Sequence, residues 1–341
     1  MSKCQSPFVG GSRDLSAQGR AEIRELLGAR PLEFLVQAAS AWGMIVISIG
    51  FALYIDRWWV TLIAMMLVAT RLNVLGLLVH EQAHMLGLKG RYGDLIVNVI
   101  AGYPFGISVE NYANIHLAHH KFFFTEDDPD FLRKRGDDWT FPMRFTRVAR
   151  LLLHDVSGLT LVRFLREKNA NEKAQFKRTH PAPKWARAAF YVTLAAVLTW
   201  LGAWHVFLAY WIVPLVTMLP LIVRLGAVTE HVYGYRGAGV IETTPLILLR
   251  WWEKLLLPNL NFTMHAYHHF YPGISFCNLP KVHDVFRREG LVDETQAFFG
   301  YWAYLRWLMR PRAFSRVALR AEESEAPIRS LGDDSIAKER V

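Results

Sequence analysis

Residues 58–84 read WWVTLIAMMLVATRLNVLGLLVHEQAH, and this stretch decides the fold. It opens on two tryptophans and continues through about 20 mostly apolar residues, the length that a helix needs to cross a bilayer. It ends on His80 and His84, and residues four apart lie on one face of a helix. The stretch therefore predicts a membrane-spanning helix that projects from the bilayer and carries two imidazoles able to bind metal.

Four segments of this kind are predicted to span the membrane, at about 34–55, 58–78, 186–207 and 210–225. Two further apolar stretches, 95–109 and 245–257, are too short to cross, so we expect interfacial or re-entrant helices there. The predicted fold is an all-α integral membrane protein. Its four transmembrane helices form two hairpins beneath a cytosolic, histidine-rich helical cap.

Lysine and arginine concentrate in residues 89–184 and in both terminal segments, whereas the turns between paired spans carry almost none apart from Arg57. Because positive charge stays on the cytoplasmic side, both termini and the histidine-rich cap are predicted to be cytoplasmic. Residues 1–30 are expected to form a cytosolic segment without a secretory signal, and 31–320 the membrane domain. Residues 321–341 are expected to form a disordered tail.

The composition excludes several functions. A net charge of +9 can indicate nucleic-acid binding, but the basic residues lie between apolar segments and no nucleic-acid-binding motif is present. Cys4 and Cys277 are the two cysteines. They provide neither a disulfide framework nor the cysteine set of an iron–sulfur cluster.

Nine of the 13 histidines occur in four places that the predicted topology brings to one side of the membrane. They are His80 and His84 in HEQAH, His116, His119 and His120 in HLAHH, His231 after the fourth predicted span, and His265, His268 and His269 in HAYHH. Imidazole suits iron, zinc, copper and nickel, and nine imidazoles are too many for one ion. Structural zinc sites usually include cysteine, so the pattern indicates a two-iron redox centre.

The remaining histidines are interpreted as ordinary surface or core residues. They are His154, His180, His205 and His283.

These motifs resemble the membrane fatty-acid desaturase and hydroxylase superfamily, whose signature is HxxxH followed by two HxxHH boxes. The second box is followed by TEDDPDF at 125–131, which resembles the acidic stretch of bacterial members. The third box continues as HHFYPGISFCNLPKVH at 268–283, similar to the ending of acyl-lipid desaturases. The resemblance covers about residues 34–288.

The resemblance implies that all nine of these histidines hold two iron ions, which cycle between Fe2+ and Fe3+, with O2 as co-substrate. It implies the introduction of a double bond into a fatty-acyl, lipid-like substrate. Acyl-CoA members have an asparagine where this chain has Ala227, and Asn261 is a candidate to replace it. Candidates to orient the imidazoles from outside the metal shell are Glu81, Asp128, Asp130 and Glu230, for which capping or solvated carboxylates remain the alternative.

The sequence contains no redox module of its own, neither a dinucleotide fingerprint nor a fused cytochrome. We therefore expect an external electron donor of the ferredoxin or cytochrome b5 type with its reductase, besides a lipid-like substrate and membrane lipids as partners. Arg133, Lys134 and Arg135 either attract an acidic donor or form a positive-inside loop. Arg71 and Asn73 lie within a span, where an ionisable residue suggests a function, although snorkelling or helix pairing remains open.

Two alternatives stay open. A related di-iron carotenoid ketolase or hydroxylase, or a desaturase of a small natural product, shows similar histidine boxes. HEQAH also satisfies HExxH, in which two histidines bind zinc and the glutamate acts as base. An intramembrane zinc protease would, however, leave both HxxHH boxes unexplained.

Overall fold

The computed structural model describes residues 6–160, 176, 178–233 and 237–310, and this part of the chain is mostly helical. The α-helices are Ala17–Glu25, Pro31–Ile55, Trp58–Ala83, Gly93–Val97, Tyr103–Phe105, Val109–Lys121, Pro129–Lys134, Phe145–Val156, Lys184–Leu201, Trp204–Phe207, Val213–Val216, Met218–Glu230, Val240–Thr243, Trp251–Leu256, His265–Phe270, Leu279–Arg288 and Tyr301–Leu308. π-Helical turns occupy Asn98–Gly102 and Leu208–Ile212. The predicted tail at 321–341 and the domain end at 320 lie outside the described residues.

Three helical stretches are long and apolar enough to cross a membrane: Pro31–Ile55, Trp58–Ala83 and Trp204–Glu230. They contain the predicted spans 34–55, 58–78 and 210–225. The middle one, here called the first-box helix, continues without a break through the first histidine box. An apolar span and its metal-binding end therefore form one element.

The third predicted span, 186–207, is wrong at its end. The helix there runs from Lys184 to Leu201 and stops because Gly202 adopts a left-handed conformation, with φ of 61°. A new helix begins at Trp204. Lys184–Leu201 has 18 residues and carries two basic residues in its first turn, so its role as a fourth crossing stays a prediction.

A small parallel sheet also departs from the all-α prediction. Ile247–Leu248 pairs with Phe298–Phe299, and the predicted helix over 245–257 is confined to Trp251–Leu256. A short buried apolar run can form either a strand or a helix, and periodicity does not separate them. Here Ile247 is fully buried, and the pairing with Phe298–Phe299 makes the segment a strand.

The first-box helix forms the centre of the fold. Its residues Val68, Leu72, Leu75 and Leu78 have no exposed surface, and it packs against Pro31–Ile55, Met218–Glu230 and Val109–Lys121. The neighbouring apolar helices instead expose large side chains on their outer faces, as expected for surfaces that contact lipid. The core therefore fixes the first box on a rigid, buried support.

Residues 95–109 end in a turn between two helices. The helical segment ends where Gly106 takes a left-handed conformation, with φ of 86°, and the next helix starts after Ser108. The indole N–H groups of Trp42 and Trp211, from two apolar helices, donate to the carbonyls of Ile100 and Pro104. These contacts hold the segment between the apolar helices, and the second box converges with the first.

The predicted topology can be tested with reporter fusions. Fusions after Trp59 and after Trp204 are expected to report an external location, and a fusion after Arg135 a cytoplasmic one, because lysine and arginine concentrate on that side. Paired alkaline phosphatase and green fluorescent protein fusions measure both outcomes. A fusion after Arg320, outside the described residues, is expected to be cytoplasmic too. An external location for Arg135 would contradict the placement of all the boxes on the cytoplasmic side.

Candidate metal centre

The nine predicted histidines converge into two adjacent groups. The first consists of His80, His84, His116, His120 and His268, and the second of His119, His231, His265 and His269. Within each group one nitrogen of every ring lies within 4.8 Å of the others. Each group is compatible with one metal ion, so the arrangement accommodates a two-metal centre.

Helical spacing explains how each box is divided. Pairs four residues apart stay together: His80 with His84, His116 with His120, and His265 with His269. The middle histidine of each HxxHH box joins the other group, so His119 and His268 cross over. Each HxxHH box therefore contributes to both metal positions and fixes the distance between them.

The nitrogen atoms of the first group point at a common centre. Nε2 of His116 lies 2.6 Å from Nε2 of His80 and 2.8 Å from Nε2 of His84. The same atom lies 3.0 Å from Nε2 of His120 and 3.5 Å from Nε2 of His268. Two nitrogens bound at right angles to one metal at about 2.1 Å are about 3 Å apart, so this spacing suits a shared ion.

One proton on Nε2 of His116 cannot hydrogen-bond to all four of the neighbouring ring nitrogens. A cation bound among the five rings would interact favourably with all of their nitrogens. Burial and the neighbouring histidines hold the pKa values of His116 and His268 well below their ordinary value. The same causes lower the pKa values of His231 and His269 in the second group. The rings are therefore neutral and offer lone pairs, which is the form that binds metal.

Asp128 contacts His119, a member of the second group. Its Oδ2 lies 2.8 Å from Nδ1 of His119, and the carboxylate is fully buried. The same side chain accepts hydrogen bonds from the backbone N–H groups of Phe124, Asp130 and Phe131, and thereby caps the helix Pro129–Lys134. These bonds fix the carboxylate, which leaves Nε2 of His119 directed at the metal position.

His231 ends the helix Met218–Glu230 and adopts an extended backbone. Its Nε2 lies 3.2 Å from that of His119 and 3.1 Å from that of His269. Its Nδ1 lies 3.1 Å from the hydroxyl of Thr244. The histidine outside the three boxes thus completes the second group.

The other predicted supporting residues take different positions. Glu81 is buried, and its Oε1 accepts a hydrogen bond from the backbone N–H of Phe276, beyond the third box. Asn261 donates to the carbonyl of that same Phe276. Asp130 forms ion pairs with Arg133 and Lys134. Among the described residues, neither Glu230 nor Asn261 hydrogen-bonds a histidine.

The basic residues proposed to attract a donor are neutralised by carboxylates. Lys134 lies 2.8 Å from Asp130 and also donates to the hydroxyl of Tyr233, while Arg135 lies 3.7 Å from Glu126. These contacts disfavour donor attraction by this stretch, while the positive-inside loop stays a prediction.

His283 is a core residue, one of the two ordinary roles that the sequence suggested for it. It is buried, and its Nδ1 lies 2.8 Å from the hydroxyl of Tyr267, which belongs to the third box. Its Nε2 lies 2.8 Å from Glu294. It lies in the helix Leu279–Arg288, within the run LPKVH that follows the third box in the sequence. His154, His180 and His205 are exposed, as expected.

A second supporting network escaped the sequence analysis. Arg178 binds both carboxylate oxygens of Asp94 and donates to the carbonyls of Gln82 and Ala83. Gln82 in turn donates to Asp94. These bonds satisfy the carbonyls at the end of the first-box helix, and so they fix the position of His84 beside them.

Aromatic rings cover the centre. Phe262 lies over His80, with ring centroids 4.3 Å apart, and Tyr112 stacks on His116 at 5.4 Å. Phe123 contacts His269 at 4.8 Å. These rings cover one side each of His80, His116 and His269.

The centre approaches the surface along one edge. His84, His120 and His269 are half-buried, whereas the other six histidines are buried. The ring of His120 lies 4.7 Å from that of His84 and 4.3 Å from that of His269. The edge formed by these three residues, here called the histidine edge, contains members of both groups.

A sequence model described as fatty acid desaturase matches residues 56–302, which is well over half of the chain. No match was found among curated proteins. The matched region contains all nine converging histidines.

Proposed function

The chain belongs to the fatty acid desaturase family, and from this premise we propose that it is an O2-dependent membrane desaturase that introduces a C=C bond into a fatty-acyl, lipid-like substrate at a di-iron centre. The observation that carries the proposal is the convergence of nine imidazoles on two metal positions beside an apolar helix. Four crossings and a cytoplasmic cap belong to the same proposal.

The two groups hold one iron each in this proposal. Neutral imidazole is a suitable donor for iron, and the described residues contribute no cysteine to either group. Iron at these positions would supply the activation of O2. The first group offers five imidazoles and the second offers four, so the second position has fewer protein ligands, as suits a metal that must bind a further molecule.

The protein's own residues position and protect the reaction. Asp128 holds His119 through Nδ1, and Phe262 and Tyr112 keep water from the first group. A dry site matters because it favours reaction at the substrate over side reactions with water. The apolar helices bring the acyl chain of a membrane substrate to the centre.

The proposal is tested by the products of a heterologous host. Expression in a host that contains both lipids and carotenoids, followed by mass spectrometry of acyl chains and pigments, is expected to show a new unsaturated acyl chain. The same host carrying His116→Ala is the control. A new hydroxylated or ketolated pigment, with unchanged acyl chains, would replace the desaturase proposal by the carotenoid alternative.

Metal content separates the proposal from the zinc protease. Two irons per chain are expected, whereas a protease requires one zinc. The geometry also disfavours the protease, because its glutamate must face the metal as a base. Glu81 instead accepts a hydrogen bond from the backbone of Phe276.

Asp128 gives a graded prediction. Asp128→Asn keeps an oxygen for the backbone N–H groups but removes the negative charge beside His119, and we expect activity or iron affinity to fall by roughly 10- to 100-fold. Asp128→Ala also removes the helix cap, which costs about 1 kcal/mol of stability in addition. Iron titration and thermal unfolding measure the two effects separately.

The neighbouring exposed carboxylate of Asp127 is the matched control. Asp127→Ala is expected to leave iron affinity and activity unchanged. Full iron affinity in Asp128→Asn would show that Asp128 serves only to cap its helix.

A further inference from the structure

Arg71 is a charged side chain in the apolar part of the first-box helix. It is only 7% exposed, and its neighbours Thr70 and Leu72 are buried as well. It lies nine residues before His80, about 13 Å along the helix. Ionisable residues at such positions are costly and usually have a function.

The guanidinium of Arg71 is poorly satisfied. Its Nη2 donates to the carbonyl of Leu255 at 2.7 Å, but its Nε is buried and has no hydrogen-bond partner. No carboxylate of the described residues lies within ion-pair distance of it. Arginine does not lose its proton in proteins, so the charge remains.

Two other arginines show how this fold normally treats such a group. Arg178 binds both oxygens of Asp94 and two backbone carbonyls. Arg224, which lies on an apolar helix, binds both oxygens of the buried Asp155. A buried charge without a partner costs several kcal/mol, and Arg71 lacks the counter-ion that both of these arginines have.

The surroundings of Arg71 indicate which anion is available. Leu255 belongs to the short helix Trp251–Leu256, which exposes Trp251, Trp252 and Leu256. Exposed tryptophan and leucine on a short helix are typical of the boundary between head groups and acyl chains. The anions at this depth are the phosphates and carboxylates of lipids.

We propose that Arg71 binds the anionic head group of a membrane amphiphile, a phosphate or a carboxylate, beside the helix Trp251–Leu256. The guanidinium is suited to this role because its planar array of donors matches both anions. The carbonyl of Leu255 orients the group, and Nε remains free to donate. This site is independent of the metal centre and does not depend on the proposed reaction.

The test measures lipid that remains bound after purification. Wild-type protein, Arg71→Gln, Arg71→Lys and Arg187→Gln are extracted from membranes in a non-ionic detergent and analysed by native mass spectrometry. Wild-type protein is expected to retain about one anionic lipid per chain. Arg71→Gln should retain at most about one tenth of the wild-type amount of anionic lipid, and Arg71→Lys an intermediate amount.

Arg187→Gln is the matched control, because Arg187 also donates to a backbone carbonyl, that of Gly106, but is only half-buried and makes this bond at the exposed surface. It should retain lipid as the wild type does. Fragmentation of the retained molecule distinguishes the sources: a glycerophospholipid identifies a membrane lipid, and a free fatty acid identifies a substrate-like carboxylate. Equal retention in Arg71→Gln, or none in the wild type, would overturn the proposal.

A second measurement does not depend on the folding of any variant. Addition of an anionic phospholipid to delipidated wild-type protein should raise its Tm in a concentration-dependent way, and a zwitterionic phospholipid of the same chains should do so less. An equal effect of both lipids would show that Arg71 does not select for negative charge and would contradict the proposal.

Discussion

His231→Ala is expected to abolish, or nearly abolish, activity and to lower the iron content. The second group has four imidazoles, and Nε2 of His231 lies about equally far from those of His119 and His269, at 3.2 and 3.1 Å. Its removal leaves three ligands and an open position, which weakens metal binding. The loss should exceed the roughly 10- to 100-fold effect of a residue that only supports a ligand.

The same result is expected for each of the other eight proposed ligands. Alanine variants are made at His80, His84, His116, His119, His120, His265, His268 and His269. Iron per chain and turnover with an electron donor are measured for every variant. The controls are the exposed histidines His154, His180 and His205, whose alanine variants should retain activity.

His283 is left out of these controls, since it hydrogen-bonds to Tyr267 within the third box. If His231→Ala keeps full activity and full iron, the assignment of this fourth position is wrong although the three boxes can stand. If two or more box variants keep full activity, the di-iron proposal fails.

The histidine boxes could be predicted from the sequence because their geometry is local. Two histidines that are four residues apart lie on one face of a helix, independently of the rest of the fold. All three such pairs stay together in the structure. The division between the two groups depends on tertiary packing. His119 and His120 are neighbours in the chain but face different metal positions, since the elements on either side of the second-box helix supply different partners.

Other features depend on contacts between distant residues. The strand at Ile247–Leu248 exists because Phe298–Phe299 pairs with it, and nothing within 245–257 signals this partner. The end of the helix in the third predicted span, Lys184–Leu201, could have been predicted from the sequence. Glycine favours the left-handed conformation that ends a helix, and Gly202 adopts it here. The counter-ions of Arg178 and Arg224 lie 84 and 69 residues away in the chain, beyond any local pattern.

The second prediction with a large effect concerns the dependence of turnover on an electron-donor protein. Purified protein with iron, O2 and NAD(P)H alone is expected not to turn over, because the sequence has no cysteine set for a cluster and no dinucleotide fingerprint. Addition of a ferredoxin or cytochrome b5 with its reductase should restore activity. We expect a donor to approach both proposed metal positions at the histidine edge, since His84, His120 and His269 are the half-buried members of the two groups.

Lys121 tests that place of entry. It directly follows His120 and is exposed, so it can attract an acidic donor, and such attraction raises the rate of association mainly at low salt. Lys121→Glu should lower kcat/KM for the donor severalfold at low ionic strength and leave kcat at saturating donor and the iron content unchanged. Lys89→Glu, an exposed lysine outside the edge, is the control. Turnover without any donor protein would show that the chain contains a redox module of its own, and an unchanged kcat/KM for Lys121→Glu would place the donor elsewhere.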